Sequence, residues 1–280
     1  MQFGLAHFAT DLGITPLRAA CLAEEHGFDS LYLPEHTHIP VSRDTPHPLT
    51  GDQLDDRYRR TLDPWVGLAM AAAVTERLRL GTAVALVAEH DPIALAKTVA
   101  SLDALSGGRV TLGVGYGWNR EEAADHGIDP ARRRDVVRDH VLLMRALWTE
   151  EVATYEGAHA RLSPSWAWPK PVQSRLPVLV GGAPGPKLFG HIAEWADGWM
   201  PNGSSGMAAA LPALHQAWSE AGRRPDELRL APVGVLPDAG RLGYLRDMGV
   251  SEVIFAWDWD SEEEARPALG GIASLMDRFR

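Results

Sequence analysis

"PVLVGGAPGPKLFGHIAEWADGWMPN", residues 177–202, holds one whole structural unit. Its first part, residues 178–181, is a short apolar run that reads as a buried strand. Residues 181–185 form a glycine-rich loop. A helical pattern opens at Pro186, a residue suited to the first turn, and runs to Ala196. A second short strand follows at 198–201. Strand, loop, helix and strand in so few residues is the unit from which parallel sheets are built.

The same alternation recurs outward in both directions. Strands are expected at 2–7, 30–34, 78–86, 109–115, 228–235 and 252–257. Helices are expected at 15–26, 64–75, 92–105, 131–148, 207–221, 240–248 and from about 262 to the end. Thr15-Pro16, Asp63-Pro64 and Asp91-Pro92 each offer a capping oxygen followed by proline. The helix at 131–148 places Val137, Val141, Met144 and Trp148 on one face. Eight such units predict an α/β chain folded as a (β/α)8 TIM barrel, with residues 1–280 as a single domain. A doubly wound sheet is disfavoured, because the first strand ends in Ala6-His7-Phe8 without a glycine fingerprint. Two insertions are expected, one after the second strand at 36–63 and one before the fifth at 150–176, the latter with a hairpin near Glu156-Gly157.

Composition narrows the function. The net charge is −10 and hydrophobic residues make up 45% of the chain. That balance disfavours nucleic acid as a partner, and no apolar run is long enough to span a bilayer. The lone Cys21, on a helix pattern, reads as a small buried residue, and the start lacks a signal-peptide pattern; both fit a cytoplasmic protein acting on a small molecule.

In a barrel, chemistry gathers at the C-terminal ends of the strands. Glu35-His36-Thr37-His38 ends the second strand there. His36 and His38 have the spacing of a metal pair, but the other strand ends supply no further ligands beyond Asp258 and Asp260, so no metal is assigned and a metal-dependent barrel hydrolase stays a distant alternative. His36 is the first choice for proton transfer, with His38 and Tyr116 as substitutes. Residues 113–117, Gly-Val-Gly-Tyr-Gly, let backbone approach a ligand closely or simply make a tight turn. At 181–187 the helix start suits an anion, with Ala183, Gly185 and Lys187 keeping their N–H groups. Trp118, Trp199 and Trp257 stand near the same face and could wall a pocket for a planar group; Trp199 and Trp257 fit equally well as core residues.

Several stretches resemble the luciferase-like monooxygenase superfamily, in particular its actinobacterial branch of coenzyme F420-dependent oxidoreductases. They are "LYLPEHTHIPVSRDTP", "RTLDPWVGLAMAAAVTERLRLGTAVAL", "DPIALAKTVASLDALSGGRVTLGVGYGWNREE", "SWAWPKPVQ" and the opening stretch. The resemblance implies a barrel with F420 at its mouth, or FMN in the oxygen-using members. It implies that Glu35 and His36 face the cofactor ring and substrate, with Glu35 orienting His36. It also implies a non-proline cis peptide at Ala83-Val84 behind the ring. Gly115, Tyr116 and Gly117 would line the ring and ribityl region, and Gly181, Gly182 and Gly185 would cradle the phosphate. Arg43, Arg57, Arg59 and Arg60 could meet the acidic cofactor tail. Homodimers are common in the family. There is one departure. The sugar-phosphate dehydrogenases of the superfamily carry a catalytic glutamate where this chain has Trp118, which favours a more apolar or planar substrate.

Overall fold

The computed structural model describes every residue except Leu49 and Asp52. Among the described residues, one parallel sheet of nine strands is flanked by helices. The chain runs β1 (Gln2–His7), α1 (Pro16–Glu25), β2 (Ser30–Leu33), α2 (Pro64–Val74), β3 (Arg79–Thr82), α3 (Pro92–Ser106) and β4 (Val110–Val114). It continues through α4 (Arg120–Asp125), α5 (Arg133–Thr149), the hairpin β5 (Ala153–Glu156) and β6 (Arg161–Ser165), then β7 (Val178–Gly181), α6 (Pro186–Trp195) and β8 (Gly198–Met200). It ends with α7 (Met207–Glu220), β9 (Arg229–Leu230), β10 (Val233–Val235), α8 (Ala239–Asp247), β11 (Glu252–Trp257) and α9 (Glu262–Met276).

The sheet order is β10-β11-β1-β2-β3-β4-β7-β8-β9. Every residue of β2, β4, β7 and β8 is buried, as expected of parallel strands covered on both faces. Side chains alternate between two cores. Tyr32, Leu179, Met200 and Ile254 pack together on the concave side, with Ala83 and Val84 against them. Leu31, Leu33, Val178, Val180 and Trp199 point outward into the larger core beneath the helices. The proline-led helices start where expected. The Asp91 carboxylate accepts the N–H groups of Ile93 and Ala94 at 3.0 and 2.8 Å, Asp63 accepts that of Val66 at 2.9 Å, and Thr15 that of Arg18 at 3.4 Å.

The expected closed ring of eight unbroken strands is not what forms. The strand expected at 228–235 is split into β9 and β10, because Pro232 has no N–H to donate and Gly234 takes φ +73°. β9 pairs with β8, whereas β10 pairs with β11, so the ladder opens here. The two edge strands are nonetheless separated in sequence only by Ala231 and Pro232, so the sheet curls round into a barrel-like form. Ala231 N–H donates to Trp199 O on one side, and Ile254 N–H to Pro232 O on the other. The third strand is also shorter than expected. It stops at Thr82, the Ala83-Val84 peptide is cis, and a single turn at Val87–Glu89 follows. Helix α4 was not expected, and α5 starts later than its pattern suggested. Val137, Val141, Met144 and Trp148 of α5 are buried together, as their spacing requires. Cys21 is half-buried rather than buried. Among the described residues no helix is long and apolar enough to cross a membrane.

Candidate active site

At the end of β2 the chain stays extended, so Glu35 and His36 point opposite ways. Glu35 turns inward and is 3% exposed. Its Oε2 accepts Leu86 N–H at 2.6 Å, and its Oε1 lies 2.8 Å from His90 Nε2. Burial alone would pull His90 down, but the bond to Glu35 and its charge outweigh that and hold the ring above its ordinary range. Glu35 therefore anchors the segment after β3 and does not orient His36.

The partner of His36 is Glu122, a residue the motif did not reveal. Its Oε2 is 2.8 Å from His36 Nδ1, and its Oε1 accepts Thr37 N–H at 3.0 Å. Glu122 is 1% exposed. It sits on α4, whose cap is Asn119; the Asn119 Oδ1 accepts Glu122 N–H at 3.3 Å. Asn followed three residues later by Glu is a recognisable helix start, and that was the signal available in the sequence. Next to Glu122, Glu121 accepts the N–H groups of Asp44 and Thr45, which ties the long 36–63 segment to the same helix.

The other face of the imidazole meets Trp118. The indole N–H can only donate, and it reaches His36 Nε2 at 3.3 Å. Nε2 is thus the acceptor and Nδ1 the donor to Glu122. His36 thus keeps a free lone pair on Nε2, covered by a single long hydrogen bond from Trp118. Tyr58 and His47 complete the ring cluster, with Tyr58 5.2 Å from His36 and His47 5.0 Å from Trp118 between centroids. Burial, then the neighbouring His36 and Arg43, hold His47 below its ordinary range.

The floor of the mouth is built from glycines around Val84. A Cβ on Gly115 would lie 2.3 Å from Val84 Cγ2, and one on Gly181 would lie 3.0 Å from Val84 Cγ1. Only glycine at 115 leaves the Val84 methyls room, glycine at 181 keeps the other side from crowding them, and the result is an apolar platform suited to a planar ring. Gly117 takes φ +73° and Gly182 φ +146°. Gly185 is different, since its backbone is extended and a Cβ there would meet nothing within 4 Å. No neighbour in the chain demands glycine at that point. Gly185 caps α6 without a side-chain hydrogen bond, and Phe189 is the first residue bonded back to it, at 3.0 Å. The N–H groups of Lys187 and Leu188 have no acceptor within the helix, an arrangement suited to a phosphate. These residues fit a flavin-like group: platform, glycine turn and anion site all open on one mouth.

Other expected residues fall elsewhere. Tyr116 shares a 2.8 Å hydrogen bond with His191 Nδ1, and burial raises its hydroxyl well above the ordinary range, so it is a poor proton donor at neutral pH. His38 turns outward to Asp125 at 2.9 Å, away from His36, which separates the two histidines as a metal pair. Among the described residues no three His, Cys, Asp or Glu side chains are grouped so as to hold a metal. Lys187 is paired with Asp135 at 3.0 Å beside the helix start, and Ala183 is exposed on the loop. Trp199 does not wall the mouth. It lies 1% exposed below the loop, stacked edge-on against Phe189 and donating to Gly182 O at 3.1 Å. Trp257 does line a cavity, of about 350 Å³, with His7, Phe8, Arg57 and Asp260 at the ends of β1 and β11. Arg57 and Arg60 pair with Asp55 and Asp11, and Arg59 with Asp56, all within this face. Arg43 lies over Trp118 at 5.7 Å.

Known proteins resemble this chain. An uncharacterized protein of Mycobacterium tuberculosis is 51% identical over 280 residues, covering 99% of both chains. An F420-dependent glucose-6-phosphate dehydrogenase of Nakamurella multipartita is 32% identical over 81% of this chain and 65% of its own length. Among solved structures, monooxygenase RslO1 from Streptomyces bottropensis superposes with a TM-score of 0.68 at 26% identity, covering 99% of this chain and 82% of that one. The family model for luciferase-like monooxygenase matches residues 16–236, which span α1 to the end of β10 and so every part of the mouth except the ends of β1 and β11. With that match extending over most of its length, the chain belongs to the luciferase-like monooxygenase family.

Proposed function

We propose that this protein is an F420-dependent oxidoreductase that transfers a hydride to or from a small organic substrate. The observation that carries the reading is the placement of His36. Glu122 holds its Nδ1, which leaves Nε2, covered only by the Trp118 indole, as the acceptor for the proton that accompanies a transferred hydride. A bound deazaflavin would supply the hydride chemistry at its C5 carbon. Val84 with Gly115, Gly117 and Gly181 would support the ring, and Gly182, Ala183, Gly185 and the N–H groups of Lys187 and Leu188 would hold its phosphate. Glu122 fixes the imidazole tautomer. His36 takes a proton from an alcohol being oxidised, or returns one to a carbonyl being reduced. Trp118, Tyr58 and His47 exclude water from that nitrogen, and substrate must displace the Trp118 indole to reach it. The resemblance of this chain to an F420-dependent dehydrogenase supports the cofactor. Trp118, in place of that group's glutamate, argues for a substrate other than a sugar phosphate, planar or apolar where it meets the indole.

The second reading is an FMN-dependent monooxygenase, favoured by the superposition on RslO1. One assay separates them. The protein is mixed with reduced F420 or reduced FMN and a panel of ketones, enones and quinones, with and without air. Substrate-dependent oxidation of F420 that needs no oxygen is the expected result. Oxygen uptake coupled to substrate, with FMN only, would replace the first reading by the second.

A further inference from the structure

Behind the His36–Glu122 pair lies a third carboxyl group that the chemistry above leaves unused. Glu89 ends the turn Val87–Glu89, and its side chain is 2% exposed. Its Oε2 has no hydrogen-bond partner among the described residues. The nearest cationic candidate, His126 Nε2, is 3.7 Å away, too far for a hydrogen bond. A Cβ on Gly117 would lie 3.6 Å from Glu89 Oε1, so this carboxyl lies directly under the glycine turn. Glu122 and His126 face it from α4, and Glu35 and His90 from the exit of β2 and its own turn. From α5, His140 reaches Val87 O at 3.0 Å, with Asp139 beside it in the sequence. Burial, then the charges of Glu122 and Glu35, push Glu89 up to about 8. A carboxyl this deep without a bonding partner is stable only when it carries a proton.

We propose that Glu89 is the proton store of the site, holding a proton beneath the glycine turn for the His36–Glu122 pair and refilled from solvent through His126. The proposal rests on the hydride-transfer reading. Contacts link His126 to the pair through Thr37, and Glu89 lies beside them without a hydrogen bond at Oε2. His126 shares a 2.7 Å hydrogen bond with Thr37 Oγ1, and Thr37 N–H donates to Glu122. Thr37 Oγ1 also lies 3.0 Å from His38 Nδ1, and His38 is open to solvent. For reduction His36 carries a proton on Nε2 as well as on Nδ1, and giving the Nε2 proton to the substrate returns the ring to the neutral form seen here. The O–H bond of Glu89 then breaks, an N–H bond forms again on His36 Nε2, and Glu89 becomes a carboxylate. Water then protonates His126, which returns the proton to Glu89 Oε2. Substrate oxidation runs the same steps backwards, and no electrons move through these groups.

The test uses the full chain without cofactor, so it fails or succeeds separately from the F420 reading. Infrared difference spectra across a pH titration should show a protonated carboxyl band lost with a midpoint near pH 8. Glu89→Gln should remove the band, and Glu122→Gln should lower its midpoint by about one unit. A titration without that band, or a band that survives Glu89→Gln, overturns the proposal. In histidine-labelled protein, NMR measures exchange of the His36 Nδ1 proton with water. Glu89→Gln, which keeps the shape of the side chain, and His126→Phe should each slow it by about tenfold, the factor carried by one unit of proton affinity. Unchanged exchange in both variants would leave Glu89 a buried acid with no part in proton supply, and would overturn the relay even if the band were found.

Discussion

His36 shows what a side chain needs before it can do chemistry. An imidazole at a strand end is merely polar. Fixed through Nδ1 by a buried carboxylate and covered at Nε2 by an indole, it becomes a base with a defined tautomer. His36→Ala should therefore lower kcat by about a hundredfold or more while cofactor affinity stays nearly unchanged. Glu122 touches His36 rather than substrate, so it is a positioning residue. Glu122→Gln should lower kcat with little change in KM, and Glu122→Asp should recover part of the loss. Steady-state kinetics on all three variants would check this; equal losses in kcat and in thermal stability would reduce Glu122 to a folding role. The sequence made His36 legible because it closes an apolar strand. It hid the partner, because Glu122 lies 86 residues away and only folding brings it near. The adjacent Glu35 was the natural misreading, since neighbours in an extended chain face opposite ways.

Among the elements, those with their own chemical punctuation were the easiest to read. Asp or Thr before Pro marked three helix starts, and all three caps form. The cap of α3 is the strongest, because Asp91 satisfies two N–H groups. Asp91→Ala should cost about 1 kcal/mol. For a chain of 280 residues that is a Tm lower by about 2 °C, measurable by calorimetry. Elements whose ends depend on tertiary contacts were harder. The strand at 228–235 looked continuous because Pro232 and Gly234 sit inside an apolar run, yet a strand that must pair on both sides cannot spare that N–H. Beyond Thr82 the apolar sequence also reads as strand, but there the chain turns to build the platform at Val84. Helix α4 is only six residues long, too short for a periodic signal, and its cap was the one clue.

The whole molecule divides its charged groups between the two ends of the sheet. Near the C-terminal ends of the strands lie Glu35, Glu89 and Glu122 with their histidines. Towards the N-terminal ends of the β7 and β8 strands, Asp197 gathers Arg145 at 2.8 Å, Arg175 at 2.5 Å and Arg223 at 3.5 Å, and accepts Val178 N–H at 2.8 Å. Burial works to raise its carboxyl, but Arg145, the Val178 N–H and Arg175 prevail and hold it below the ordinary range. A carboxyl depressed by folding stabilises the protein above the ordinary carboxylate range, and that contribution is lost as the pH falls through the folded value. Asp197→Asn should thus cost about 3 kcal/mol at neutral pH, as for other broken buried pairs. Urea unfolding along a pH series should show the gap to wild type closing on acidification; a constant gap would mean that the charge of Asp197 is irrelevant. Repetition made the α/β architecture legible, whereas the seam of the sheet and the pairing of charges across it depend on contacts between distant segments.

On the proposed reading, the glycine turn, the platform at Val84 and the start of α6 together hold a deazaflavin. Titration of the purified protein with F420 and, separately, with FMN tests it most directly, read by quenching of tryptophan fluorescence. Saturable quenching by F420, with FMN binding more weakly or not at all, is the predicted result. Binding of FMN alone would contradict the cofactor assignment, and binding of neither would contradict the site itself.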